Sequence, residues 1–89
     1  MQKYKAKINV RLKSGILDPQ GQAISHALQV LGFDAIDDVR TGKLIECTIA
    51  SETLAGAQEQ IGKACEGLLA NPVIEDYAYE LEKLNGQTQ

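Results

Sequence analysis

The stretch Lys13–Phe33, K-S-G-I-L-D-P-Q-G-Q-A-I-S-H-A-L-Q-V-L-G-F, decides how the rest of the chain is read. Gly15 permits a turn after a strand, and Asp18 can accept backbone N–H groups as a helix N-cap. Pro19 brings the fixed φ favoured at the first helical position. Ala23, Ile24, Ala27, Leu28 and Leu31 recur on one helical face, and Gly32 is a left-handed stop with Phe33 folding back behind it. The spacing predicts a helix over Pro19–Leu31. Capping alone does not require S-G-I-L-D-P-Q-G in full, because a glycine in the first turn costs about 1 kcal/mol relative to Ala. Gly21 beside a good cap points instead to close backbone approach, to another element or to a partner.

Outward from this stretch the pattern changes period. Upstream, Tyr4, Ala6, Ile8, Val10 and Leu12 alternate with Lys5, Lys7, Asn9, Arg11 and Lys13, a strand with a core face and a cationic face. Downstream, Ala35–Arg40 reads as a short or bulged strand with Ile36 and Val39 on opposite sides. Thr41-Gly42-Lys43 reads as a tight hairpin, and Leu44–Ala50 as a strand turning Ile45, Cys47 and Ile49 inward. Ser51 or Thr53 caps a second helix running to about Ala70, with Leu54, Ala57, Ile61, Ala64, Cys65 and Leu68 as its buried stripe. Its glycines, Gly56, Gly62 and Gly67, predict close packing. Asn71-Pro72 ends it, and Tyr77, Tyr79 and Leu81 alternate with Asp76, Ala78, Glu80 and Glu82 in a last strand. Residues 85–89, N-G-Q-T-Q, have nothing to bury and are expected to be a flexible tail on a single domain over residues 1–84.

The order β-α-β-β-α-β predicts an α+β, ferredoxin-like domain. Its four-stranded antiparallel sheet carries two helices on one face, with the first strand between the third and fourth. In that order Lys5, Lys7 and Arg11 lie between rows carrying Glu46 on one side and Asp76, Glu80 and Glu82 on the other, as an open sheet face favours.

Composition excludes several classes. The 89-residue chain has a formal net charge of -3, which is no electrostatic footprint for nucleic acid. No apolar run is long enough for a membrane span, and M-Q-K-Y-K-A-K has no signal-peptide character. Cys47 and Cys65 lack C-x-x-C spacing and read as small hydrophobes of a reducing cytoplasm. His26, the sole histidine, falls on the polar side of the first helix; Asp37 and Asp38 are adjacent and read as a solvated turn. No nucleophile–base pair, converging metal ligands or phosphate loop is legible, so the chain is expected to hold no catalytic residue, metal or cofactor of its own. Two segments remain. Ser14–Gly21 reads either as a capped helix start or as a docking loop exposing Ile16 and Leu17; Val39–Lys43 reads either as a solvated turn or as an Arg40/Lys43 contact to a carboxylate or partner. Few large side chains and unprotected sheet edges predict a symmetric homodimer at least.

The block Lys13-x-Gly15-Ile16-Leu17-Asp18-Pro19-Gln20-Gly21, then Ala27-Leu28-x-x-Leu31-Gly32-Phe33, then Val39-Arg40-x-Gly42-Lys43, resembles the PurS family. That family is the small subunit of phosphoribosylformylglycinamidine synthase in purine biosynthesis. Asn71-Pro72-Val73-Ile74-Glu75-Asp76-Tyr77 resembles the family's approach to its last strand. The resemblance implies a non-catalytic protomer that dimerises and pairs again into a tetramer. It implies partners: a large synthetase subunit, which uses ATP and Mg, and a glutaminase subunit. The small subunit would join the two and support ammonia transfer between them. Gly15, Ile16, Leu17, Asp18, Pro19, Gln20, Gly21, Arg40 and Lys43 are the candidate partner-binding residues. Two other readings share the strand order. An ACT-like regulatory domain would use the Gly15 turn to bind amino acids at a dimer interface; an acylphosphatase-like enzyme would need an arginine where this loop carries Asp18.

Overall fold

A computed structural model describes residues 1–84 of the chain. Strand β1 (Gln2–Leu12) is its centre. The alternation along it is realised in full: Ala6 and Ile8 are completely buried, with Tyr4 and Val10 nearly so, while Asn9 and Arg11 stay exposed. It is flanked by strands β2 (Gly42–Ser51) and β3 (Glu75–Leu84) in an antiparallel sheet of order β2-β1-β3.

The sheet has three strands, not the expected four. Residues 36–40 form no strand and run as irregular chain. Ile36 is exposed and Val39 half-buried with two aspartates between them, and Asp38 adopts a left-handed backbone, φ 58°, that an extended strand cannot contain. The missing strand would have lain outside β2. The neighbours expected for β1 are the ones observed, but β2 is left as an edge. Without a second strand there is no hairpin at Thr41-Gly42-Lys43; Gly42 opens β2 directly, opposite Arg11.

The register agrees with the charge rows expected of the open face. Lys7 lies between Glu46 and Glu80, Lys5 faces Glu82, and Arg11 faces Asp76. One diagonal pair, Lys5 Nζ to Glu46 Oε1, closes to 3.8 Å. Exposed pairs of this kind add a few tenths of a kcal/mol to about 1 kcal/mol each.

Helix α2 (Leu54–Ala64) covers the other face. Thr53 caps it, its Oγ1 accepting the Gly56 N–H at 3.0 Å. Ile61 and Cys65 pack down over Ala6, Ile8 and Val10, Ala57 is buried one turn earlier, and Tyr77, Tyr79 and Leu81 of β3 close one side. From Cys65 to Leu69 the helix widens into a π turn, closed by the Ala70 N–H on the Cys65 carbonyl at 2.9 Å. The extra residue in that turn breaks the 3.6-residue period, which is why Leu68, expected in the buried stripe, is 84% exposed. Only Gly56 among the helix's glycines packs closely, against Ser51 Oγ; a Cβ on Gly62 or Gly67 would meet open space.

Helix α1 (Pro19–Val30) begins and ends where its sequence says it should. Gly32, at φ 94°, lets the Phe33 N–H reach back to the Leu28 carbonyl at 2.9 Å. Its placement departs from expectation: both helices were to share one sheet face, yet α1 buries only Gly21. A strand after α1 parallel to β1 would have required a crossover over the sheet, whereas here β2 is antiparallel and residues 31–41 are irregular. Nothing pulls α1 back over the core. The chain is extended as a result, with a radius of gyration of 17.0 Å where a compact chain of this length has about 12 Å. No helix among the described residues is long and apolar enough to cross a membrane. The expected tail, residues 85–89, lies outside the described residues.

Candidate functional site

The two segments singled out in the sequence meet at the end of β1 and bond to each other. Lys13–Ile16 closes a turn through the Ile16 N–H on the Lys13 carbonyl at 3.0 Å, with Gly15 at φ 89° as the residue only glycine adopts freely. Asp18, buried, is the knot. One carboxylate oxygen accepts the Gly21 N–H at 2.9 Å as the helix cap and the Thr41 hydroxyl at 2.8 Å; the other accepts the Thr41 N–H at 2.7 Å. The Thr41 N–H, the Gly21 N–H and the Thr41 hydroxyl hold the Asp18 carboxyl below the usual aspartate range, and the nearby Arg40 charge acts the same way. The Nη2 of Arg40 donates to the carbonyls of Leu12, Lys13 and Ile16 at 3.1–3.4 Å, clasping the turn from the other side. A salt bridge, Lys13 Nζ to Asp76 Oδ1 at 2.6 Å, ties the same end to β3.

This geometry explains Gly21. A Cβ there would stand 2.7 Å from both the Val39 carbonyl oxygen and Asp18 Oδ2. The close approach predicted from the sequence is to another element of the same chain. Gly21→Ala is therefore expected to destabilise by about 1–3 kcal/mol, although alanine is the better helix former. Gly62→Ala, in open space, is expected to stabilise by about 0.5–1 kcal/mol. Urea denaturation of both variants checks the pair; a stabilised Gly21→Ala would show that the interlock is not closed in solution.

Of the candidate partner-binding residues, Gly15, Asp18, Gly21 and Arg40 are thus engaged within the chain. Ile16 is half-buried, while Leu17, at 64% exposure, Gln20 and Lys43 face outward. Lys43 stands opposite Val10 on β1 and is not drawn into the interlock. Thr41, the chief partner of Asp18, was read in the sequence only as a turn residue; no local signal connects positions 23 residues apart. Beside the clasp, Arg11, Leu12, Ser14, Asp38, Arg40 and Asp76 line a half-open concavity of about 350 Å³. It balances two guanidinium groups against two carboxylates and contains neither histidine nor cysteine. The arrangement holds a loop and sets the start of a helix.

The sequence profile of the family PurS, described as phosphoribosylformylglycinamidine (FGAM) synthase, matches residues 5–83. The chain belongs to the PurS family. It is similar to the Bacillus subtilis phosphoribosylformylglycinamidine synthase subunit PurS, 45% identical over 84 residues that cover 94% of this chain and 99% of that one. Among solved structures, the crystal structure of Methanocaldococcus jannaschii PurS superposes with a TM-score of 0.81 at 42% identity, covering 91% of this chain and 98% of that one. A chain in the structure of PurLQS from Thermotoga maritima does so with a TM-score of 0.84 at 34% identity, covering 94% of this chain and all of that one. The L-D-P-Q-G and V-R-T-G-K blocks of this PurS chain are the two halves of the Asp18–Arg40 interlock. They have an architectural reason to occur together.

Proposed function

We propose that this chain is the non-catalytic bridging subunit of phosphoribosylformylglycinamidine synthase, joining the synthetase and glutaminase subunits and supporting ammonia transfer between them. The observation that carries the reading is the likeness to the chain of the Thermotoga maritima PurLQS structure over 94% of this chain. ATP and Mg belong to the synthetase partner in this reading, and the small subunit binds no cofactor. Its place is the cytoplasm. The interlock presents a docking loop, Gly15, Ile16, Leu17, Asp18, Pro19, Gln20 and Gly21, with the exposed Leu17 and Gln20 as its outward contacts and the exposed Lys43, near the start of β2, as a further one. Arg40 acts through the loop it clasps. The subunit works as a homodimer that can pair again into a tetramer, because α1 leaves apolar surface that one copy does not cover.

Assembly tests this. Mixed with the synthetase and glutaminase subunits, the chain is expected to co-elute with both in size-exclusion chromatography. The glutaminase is expected to separate from the synthetase when the chain is omitted. Leu17→Asp, at an exposed position, is expected to weaken retention by about tenfold or more at unchanged melting temperature. Association of the synthetase and glutaminase subunits that is equally tight without this chain would overturn the bridging role.

A further inference from the structure

Four ionised side chains line the concavity beside the clasp, and two of them are already engaged. Asp76, directly across from Arg11 in the register, bonds the Lys13 ammonium at 2.6 Å instead. Arg40 gives its Nη2 to three carbonyls, and its charge acts on the Asp18 carboxylate. Arg11 and Asp38 remain. Both are exposed and both line the same recess of about 350 Å³. Among the described residues neither has an ion-pair partner, and they do not pair with each other. A recess whose unengaged charges are one cation and one anion is matched by a molecule that carries both signs. A lone anion or a lone cation would be attracted by one of the two groups and opposed by the other.

Both groups are placed by their surroundings. Gly42 lets the stem of Arg11 lie across the start of β2, since a Cβ at position 42 would stand 2.6 Å from Arg11 Cγ. Asp38 immediately precedes three anchored residues: the Val39 carbonyl packs on Gly21, Arg40 clasps the turn, and Thr41 bonds Asp18. Groups positioned before a ligand arrives lose little freedom when it binds. We propose that this recess binds the zwitterionic head of a free α-amino acid. The carboxylate lies on the Arg11 guanidinium, a planar fork of donors suited to it, and the ammonium lies on the Asp38 carboxylate. Ser14, on the same wall, offers a hydroxyl to either. Arg11 and Asp76 also line an adjoining recess of about 410 Å³ with Asn9, Tyr77 and Ala78, which gives the side chain of such a molecule its room. The first recess lies at the small end of ligand sites, which run to about 300–1,000 Å³, as so small a ligand requires.

Titration of the full-length chain with L-alanine, followed residue by residue in heteronuclear NMR spectra, tests the site. The chain is titrated without other subunits, so the result does not depend on the bridging role. Saturable shifts are expected at the amides of Arg11, Ser14, Asp38 and Asp76, with a Kd on the order of 1 mM. N-acetyl-L-alanine lacks the ammonium and L-alaninamide lacks the carboxylate; each is expected to bind at least about tenfold more weakly. Arg11→Gln and Asp38→Asn are each expected to weaken L-alanine binding by a similar factor at unchanged melting temperature, because neither charge has a partner to lose. Asn accepts the left-handed backbone that Asp38 adopts. Equal binding of the three small molecules overturns the proposal. So does L-alanine binding that both variants leave intact, or the absence of saturable shifts in the parent chain. Failure of L-alanine to bind, together with weaker retention of the synthetase or glutaminase subunit by Arg11→Gln, would assign the recess to a protein side chain and overturn the amino-acid site.

Discussion

Adding this chain to the synthetase and glutaminase subunits is expected to raise glutamine-dependent amidine formation by about 10²-fold or more, the lower range of gains that tethering gives. Ammonia-dependent formation under the same conditions is expected to change little. Free ammonia reaches the synthetase site by diffusion at whatever concentration is supplied. Ammonia released from glutamine is produced one molecule at a time and is diluted and protonated in bulk water unless the two sites are held together. A subunit that only bridges acts on the second route. Measuring both rates with and without the chain separates the mechanisms: equal stimulation would mean a conformational effect on the synthetase, and no stimulation of either would remove the assignment. Leu17→Asp is expected to reduce the glutamine-dependent gain in parallel with its loss of retention in the complex.

Ile8→Ala is expected to be among the most damaging single substitutions, at about 2–5 kcal/mol. Ile8 is fully buried on the central strand, between Ile45 and Tyr79 in register and beneath α2. Few buried side chains share the load, because α1 contributes only Gly21 to the buried set. With total stabilities of about 5–15 kcal/mol typical of single domains, the loss is a large fraction of the whole. Asn9→Ala, one residue along on the open face, is expected to stay within about 0.5 kcal/mol of the parent. Denaturant melts of the three proteins must be compared at one concentration, since association adds to apparent stability. A small effect at Ile8 would mean that the core lies elsewhere.

Local chemistry determined much of this protein. The alternation in Tyr4–Leu12, the Asp18-Pro19 cap and the Gly32 stop are decided within a few residues of themselves, and each is found where its sequence places it. The pairing of β1 with its neighbours was also legible, since charge rows across strands must complement one another. Local pattern misled where a segment's state depends on what lies beside it. Ala35–Arg40 has enough apolar character for a strand, but it has no regular face to bury and bends at Asp38. Of the stripe expected for α2, Ala57, Ile61 and Cys65 are buried, whereas Leu54 and Ala64 lie exposed at its margins and a π turn after Cys65 shifts the phase and carries Leu68 into solvent. The motif residues themselves were found in the sequence, but their joint role was not. Asp18 meets Thr41 across 23 positions and Arg40 meets Ile16 across 24, and no periodicity links residues so far apart. The direction of α1 was decided at the same level. Amphipathicity establishes that the helix has a face to bury, whereas the interlock at its start and the antiparallel course of β2 decide that its own sheet will not be the surface that covers it.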